Sequence, residues 1–72
     1  MYITTAAELG ELIRRERKSQ GMTQSELAGA CGTGVRFIVD LEKGKETCAL
    51  GKALLVVKML GIKMEIQTNT GD

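Results

Sequence analysis

The segment of residues 23–42, TQSELAGACGTGVRFIVDLE, limits the possible folds of this chain more than any other stretch. Its apolar spacing predicts two short helices, over residues 24–30 and 35–41. Gly32 and Gly34 interrupt the helical pattern between them, and Gly32 can adopt the positive φ of a sharp turn. Two helices of this length, joined by a short glycine turn, are typical of the helix-turn-helix motif that reads DNA.

Two capping boxes mark helix starts in the sequence. Thr23 and Glu26 are three residues apart, as are Thr5 and Glu8. In each pair the hydroxyl and the carboxylate can both accept hydrogen bonds from free backbone amides. The second box predicts that the first helix of the chain begins near Ala6.

Length and composition exclude several kinds of site. A chain of 72 residues forms one small domain that buries only about 60% of its unfolded surface, so a second copy is the expected source of further stability. There is no histidine, and Cys31 and Cys48 are the only cysteines, so we expect no metal, no cofactor and no catalytic residues. No apolar run approaches the roughly 20 residues of a membrane span, and two reduced thiols indicate a cytoplasmic protein.

The charge of the chain is nearly balanced, at +1 from 10 Lys and Arg against 9 Asp and Glu. This balance alone is weak evidence for nucleic-acid binding, and the distribution says more. One basic cluster precedes the predicted helix pair and another lies toward its far end; the two comprise Arg14, Arg15, Arg17 and Lys18, then Arg36, Lys43 and Lys45. For any single member, a solvated helix face is the alternative interpretation.

The last predicted helix is apolar on more than one side. We expect one face to be buried in the core; it consists of Leu50, Ala53, Leu54, Val57 and Leu60. Leu55, Val56 and Met59 add a second apolar side, with Thr47 as a candidate N-cap. A helix this apolar leaves a small monomer too little polar surface, so the surplus predicts a subunit interface. The alternative is a fully buried core helix.

A period of two follows Gly61. Ile62, Met64 and Ile66 alternate with polar residues, as in a half-buried strand. A lone strand leaves its backbone groups unpaired, and the simplest partner is the same strand of a second copy, antiparallel about a two-fold axis. The predicted dimer interface therefore comprises Leu55, Met59, Ile62, Met64 and Ile66.

The start of the second helix of the pair would enter the major groove of DNA. Arg36 is the predicted base reader, because a guanidinium can bind O6 and N7 of guanine. Val35 could contact a thymine methyl group, and Phe37 has two interpretations, base contact or local packing. Asp40 could accept from cytosine N4 or orient Arg36 one turn away. The predicted base contacts are thus Val35, Arg36, Phe37 and Asp40.

Residues 23–45 resemble the helix-turn-helix of the phage repressor and Cro type, often called the xenobiotic-response-element (XRE) family. The resemblance is carried by Thr23, Gln24, Glu26, Leu27, Ala28, Gly32, Ile38, Leu41, Glu42, Gly44 and Lys45, and it continues through Leu50, Leu54, Leu60 and Gly61. It implies that Arg17 forms a structural ion pair with Glu42. It also implies that Gln24 contacts a phosphate and that the loop at 43–45 lies on the DNA backbone, partly through main-chain amides. The predicted phosphate contacts are Thr23, Gln24, Gly34, Lys43, Gly44 and Lys45.

Within this family the chain is similar to the HipB-like antitoxins, which pair with HipA-type kinases. The shared features are residues 35–38, residues 40–42 with Gly44 and Lys45, and an apolar strand pattern directly after Leu60 and Gly61. This resemblance implies a homodimer that binds a palindromic double-stranded operator, represses its own operon and binds a HipA-type serine/threonine kinase.

The sequence therefore predicts a mainly α fold, a repressor-like domain of four to five helices with one C-terminal strand that pairs across a dimer. We expect a helix-turn-helix domain at residues 1–61, a dimerisation strand at 62–67 and a disordered tail at 68–72. Tyr2 and Ile3 could be a frayed end or an extra strand. Two functional alternatives remain: a phage-type or housekeeping regulator without a toxin partner, and a protein-interaction module that has lost DNA binding.

Overall fold

The computed structural model describes residues 2–68, and within them it contains four helices and no strand. The helices are α1 (Ala6–Ser19), α2 (Gln24–Cys31), α3 (Val35–Glu42) and α4 (Leu50–Met59). The mainly helical prediction is confirmed, and α2 and α3 each extend one residue beyond the predicted end. Residues 2 and 3 have no regular structure. Of the predicted tail, only Thr68 belongs to the described residues.

Helices α1 and α2 begin at the two capping boxes. The amide of Glu8 donates to the Thr5 hydroxyl over 3.1 Å, and the amide of Glu26 donates to the Thr23 hydroxyl over 3.0 Å. Each glutamate accepts in return from the threonine amide, at 3.0 and 2.8 Å. Backbone hydrogen bonds, from Thr4 and Thr23 respectively, lower the pKa of Glu8 and Glu26, so both carboxylates stay charged at neutral pH.

Apolar side chains from all four helices form one core: Ile13, Leu27, Ala28, Cys31, Ile38, Leu41, Ala53, Val56, Val57 and Leu60. Burial raises the pKa of the Cys31 thiol, which keeps it protonated. The Gln20 amide donates to the carbonyl of Leu60 over 2.8 Å and joins the end of α1 to the end of α4. Within this core, α3 packs against α1 and α2, and α4 packs against α2.

The predicted orientation of α4 was partly wrong. Leu50 and Leu54 are 70% and 45% exposed, whereas Val56, placed on the outer side, is fully buried. The helix begins at Leu50 and lies with Ala53, Val56, Val57 and Leu60 inward, the i, i+3, i+4, i+7 spacing of one helical face. The predicted cap was also wrong, because Ala49 is the N-cap residue and no side chain caps the helix.

Helix α1 lies directly against the end of α3. A Cβ atom on Gly10 would collide with the carbonyl oxygen of Leu41 and lie 2.8 Å from that of Glu42. Gly44, at φ 84°, follows α3, and a Cβ there would lie 2.6 Å from the Cα atom of Ala7. The backbones meet at both points without side chains between them, so glycine is required at each.

We predict that Gly10→Ala lowers the free energy of unfolding by about 1–3 kcal/mol, because the added methyl group must displace backbone carbonyls. Gly29→Ala is the matched control: it lies within α2, and nothing is within 4 Å of its Cβ position. The control should gain about 0.5–1 kcal/mol from the better helix former. Urea unfolding of both variants checks this, and equal effects would contradict the close contact of α1 with α3.

Candidate nucleic-acid interface

A buried ion pair joins α1 to the last residue of α3. Arg17 Nε donates to Glu42 Oε2 over 2.7 Å, and Nη2 donates to Oε1 over 3.1 Å. The two side chains are only 9% and 4% exposed. Arg17 Nη1 also donates to the carbonyl of Met22 over 2.8 Å. Hydrogen bonding to Glu42 raises the pKa of Arg17, so the guanidinium remains charged within the fold.

The same carboxylate reaches the start of α2. Gln24 Nε2 donates to Glu42 Oε1 over 3.1 Å. The amide nitrogen has two hydrogens, and this bond uses one of them. Gln24 is the first residue of α2, where the resemblance places a phosphate contact. We call Arg17, Glu42 and Gln24 the buried network, since these side chains connect three helices.

The N-terminal turn of α3 presents its first two side chains to solvent. Val35 is 45% exposed, and the side chain of Arg36 is 81% exposed. Phe37 is half-buried and packs against the core, with Lys52 Nζ 5.9 Å from the centre of its ring. Of the two interpretations of Phe37, local packing is the arrangement that the structure contains.

Asp40 lies one turn after Arg36 and contacts two cations. Its Oδ1 atom is 3.4 Å from Arg36 Nε, and its Oδ2 atom is 3.6 Å from Lys45 Nζ. The Asp40 side chain is 20% exposed. The helical spacing of Asp40 and Arg36 predicts their contact, whereas the contact with Lys45 depends on the path of the loop after α3.

The loop after α3 uses its amides internally. Lys43 donates to the carbonyl of Val39 over 3.1 Å, Gly44 to Leu41 over 3.1 Å and Lys45 to Asp40 over 3.0 Å. The last two bonds form the Schellman arrangement that ends a helix at a glycine. The amides of Lys43, Gly44 and Lys45 therefore already have acceptors within the protein. The side chains of Lys43 and Lys45 are exposed, and Gly44 has the positive φ that the turn needs.

The other two predicted phosphate contacts lie at helix starts. The Thr23 hydroxyl already accepts from Glu26 within the capping box. Gly34 is the exposed N-cap residue of α3, and no side chain caps that helix. Thr23 and Gly34 are thus the N-cap residues of α2 and α3.

The predicted dimer residues lie on the opposite end of the chain. Leu55 and Met59 are 40% and 48% exposed, and Met64 and Ile66 are 48% and 87% exposed. Ile62 is half-buried against the core. A groove lies between residues 62–67 and α1, and Leu9 and Leu12 are among its lining residues. One chain alone thus exposes an apolar surface along α4 and the segment after it.

Several contacts in the structure were not predicted from the sequence. The Gln24–Glu42 bond, the Lys45–Asp40 pair and the packing of Gly10 all join residues that are distant in sequence or separated by a loop. The one available signal was Gly10, since a glycine in the middle of a helical pattern often marks a close backbone approach. Across residues 2–68, no group of side chains is suited to a metal ion, and no helix has the length and apolar character to cross a membrane.

The pair α2 and α3, joined by a short turn at Gly32 within a four-helix domain, has the architecture of a helix-turn-helix DNA-binding domain. The chain belongs to the XRE-type helix-turn-helix family, since the family model HTH_3, described as "Helix-turn-helix", matches residues 13–67. It is a transcriptional regulator of this type, and the family is not enzymatic.

Two curated relatives carry similar descriptions. An "Uncharacterized HTH-type transcriptional regulator y4mF" of Sinorhizobium fredii is 52% identical over 64 residues, which cover 89% of this chain and 84% of that protein. A regulator of Methanothermobacter thermautotrophicus with the same description is 42% identical over 50 residues, covering 69% and 72% of the two chains.

Solved structures of low identity share the fold. One described as "Structure of HipA-HipB-O2-O3 complex" superposes with a TM-score of 0.86 at 23% identity, covering 96% of this chain and 97% of that chain. Another, "HipB-O4 20mer complex", has a TM-score of 0.85 at the same identity and coverage. At this identity the likeness concerns the fold.

We predict that Glu42→Ala lowers the free energy of unfolding by about 3–5 kcal/mol, because it leaves the buried guanidinium of Arg17 without its partner. Glu11→Ala is the control. It removes an ion pair with Arg14 whose side chains are 63% and 47% exposed, so its cost should be about 0–1 kcal/mol. Urea unfolding measures both, with Glu42→Gln as a milder variant. A cost for Glu42→Ala as small as that of the control would contradict the structural role of the pair.

Proposed function

We propose that this chain is a dimeric, sequence-specific transcriptional repressor of its own operon, and that it is a HipB-like antitoxin in the cytoplasm that binds a HipA-type serine/threonine kinase. The observation that carries the DNA-binding part is the geometry of α3. Its last residue is held in the buried network, while Val35 and Arg36 at its start face solvent.

The proposed DNA contacts follow from this geometry. Arg36 reads a guanine edge, and Val35 contacts a thymine methyl group nearby. Gln24, oriented by Glu42, uses its remaining amide hydrogen on a phosphate, and Lys43 and Lys45 contribute further phosphate contacts. Thr23, Gly34 and Gly44 shape the backbone around these side chains.

The proposed dimer follows from the exposed apolar surface. We propose that residues 1–61 are the DNA-binding domain and that residues 62–67 form a strand that pairs with its copy across a two-fold axis. Such pairing satisfies the backbone groups of this segment and covers Met64 and Ile66. A two-fold dimer can place its two α3 helices in successive major grooves about 34 Å apart, on a palindromic site.

The proposed kinase partner is supported by likeness alone. The two solved structures named above are described with HipB, and one of them also with HipA. The curated relatives, by contrast, are described only as regulators, which favours a member of the same family without a toxin partner as the second candidate. Co-purification with a kinase whose gene lies next to the gene for this chain would distinguish the antitoxin from a regulator without a toxin partner.

We predict that the chain binds the DNA upstream of its own coding region with a preference over scrambled DNA. Titration at several salt concentrations should give log affinity falling linearly with log salt, because lysine and arginine displace counterions from phosphates. Arg36→Ala should weaken operator binding by about 1–3 kcal/mol and relax the preference at one base pair. Equal affinity for operator and scrambled DNA at every salt concentration would instead favour an interaction module.

We predict that removal of residues 63–72 converts the dimer into a monomer, measured by analytical ultracentrifugation. Ile62 is retained, because its side chain packs on the core and its amide donates to the carbonyl of Val57 over 3.1 Å. Removal of residues 69–72 alone is the control and should leave the dimer intact. A shortened chain that dimerises as tightly as the whole one would rule out strand pairing.

A further inference from the structure

Asp40 contacts two side chains of the proposed DNA interface. Its carboxylate contacts the candidate base reader Arg36 at 3.4 Å and the candidate phosphate contact Lys45 at 3.6 Å. Its main-chain carbonyl also accepts from the amide of Lys45 over 3.0 Å. The Asp40 side chain is 20% exposed, against 81% for Arg36 and 55% for Lys45. The least exposed of the three side chains is therefore the one in the middle.

A carboxylate in this position opposes DNA binding in general. It repels phosphates and neutralises part of the positive charge of Lys45. An interface selected only for affinity would have a neutral or basic side chain there. The geometry at Arg36 indicates what the carboxylate contributes instead.

The contact with Arg36 is made at one particular nitrogen. Asp40 contacts Nε, which leaves the two terminal nitrogens of the guanidinium for other acceptors. These terminal nitrogens form the planar fork that matches O6 and N7 of guanine. An arginine that is 81% exposed has many rotamers, and a carboxylate one helical turn away reduces their number.

We propose that Asp40 is a positioning residue for sequence readout: it orients Arg36 toward the base and restrains Lys45, which lowers affinity for DNA of unrelated sequence and increases discrimination between sequences. The inference rests on the proposed function and adds to it the source of specificity. Asp40 itself does not touch a base. The competing role of Asp40 is to accept a hydrogen bond from cytosine N4, which the sequence also allows.

Asp40→Asn tests this role with little change in shape. The substitution removes the charge and keeps the main-chain bond to Lys45. Affinity for scrambled DNA should rise several-fold, because one negative charge is lost and Lys45 is released. The ratio of operator to scrambled affinity should fall by about fivefold or more, with the loss concentrated at the base pair that Arg36 reads. The expected result is therefore a higher affinity for scrambled DNA together with a lower ratio of operator to scrambled affinity.

The experiment begins with selection of the preferred site from a pool of random duplexes by the full wild-type chain. Binding to that site, to its single-base-pair variants and to scrambled DNA is then measured for wild type, Asp40→Asn, Arg36→Ala and the double variant. Glu46→Gln is the control, since Glu46 is an exposed carboxylate next to Lys45 in sequence. It should raise general affinity slightly and leave the specificity ratio unchanged. Thermal unfolding of each variant is measured in parallel.

In the Arg36→Ala background, Asp40→Asn should no longer change base preference. A further change of preference there would show that Asp40 reads a base itself and would overturn the positioning role. An equal loss on every duplex, together with a lower melting temperature, would reduce Asp40 to a structural residue. If wild type discriminates and Asp40→Asn keeps the same ratio, this inference alone fails. If wild type selects no site, the proposed function fails and the inference with it.

Discussion

The buried ion pair between Arg17 and Glu42 is the interaction on which the arrangement of this domain depends. Removing two charges from water is costly, and the cost is offset only when the geometry satisfies both groups. Here Glu42 accepts hydrogen bonds from Arg17 Nε, from Arg17 Nη2 and from Gln24 Nε2. Since the guanidinium is planar and its donors are fixed, the pair constrains the orientation of α3 against α1, whereas apolar burial is non-directional.

Helix α3 needs this external support. It has eight residues and no side-chain cap, and a helix of that length is marginal in isolation. Ile38 and Leu41 bury one of its faces, and Glu42 fixes its end. Gly10 removes the side chain that would separate α1 from that end. The helix is thereby held at its C-terminal end while its N-terminal turn remains exposed, which is the arrangement that readout in a major groove requires.

Local signals determined how much of this fold the sequence predicted. The capping boxes at Thr5 and Thr23 and the glycine of the turn placed the helix starts, because each depends on neighbouring residues only. The orientation of α4 could not be predicted, since apolar residues surround most of that helix and no single face stands out. The strand pattern after Gly61 stays a prediction, because its pairing depends on a second chain.

The candidate site divides in the same way. Arg36 and its relation to Asp40 follow from helical spacing, and the Arg17–Glu42 pair was implied by the family resemblance. The bonds of Gln24 to Glu42 and of Lys45 to Asp40 needed the three-dimensional path of the chain. The amides of residues 43–45 were also not predicted to bond within the chain. They donate to carbonyls in the turn that ends α3, whereas the resemblance assigned them to DNA.

The role of the ion pair in DNA recognition can be measured by replacing both of its side chains with apolar ones. An Arg17→Met, Glu42→Leu double variant retains buried volume, and such replacements often preserve or increase stability. We predict a folded protein with a melting temperature near that of wild type but several-fold weaker discrimination between operator and scrambled DNA, because α3 and Gln24 lose their fixed positions. A folded double variant with wild-type discrimination would contradict this prediction, since the pair would then stabilise the domain without positioning its DNA-reading residues.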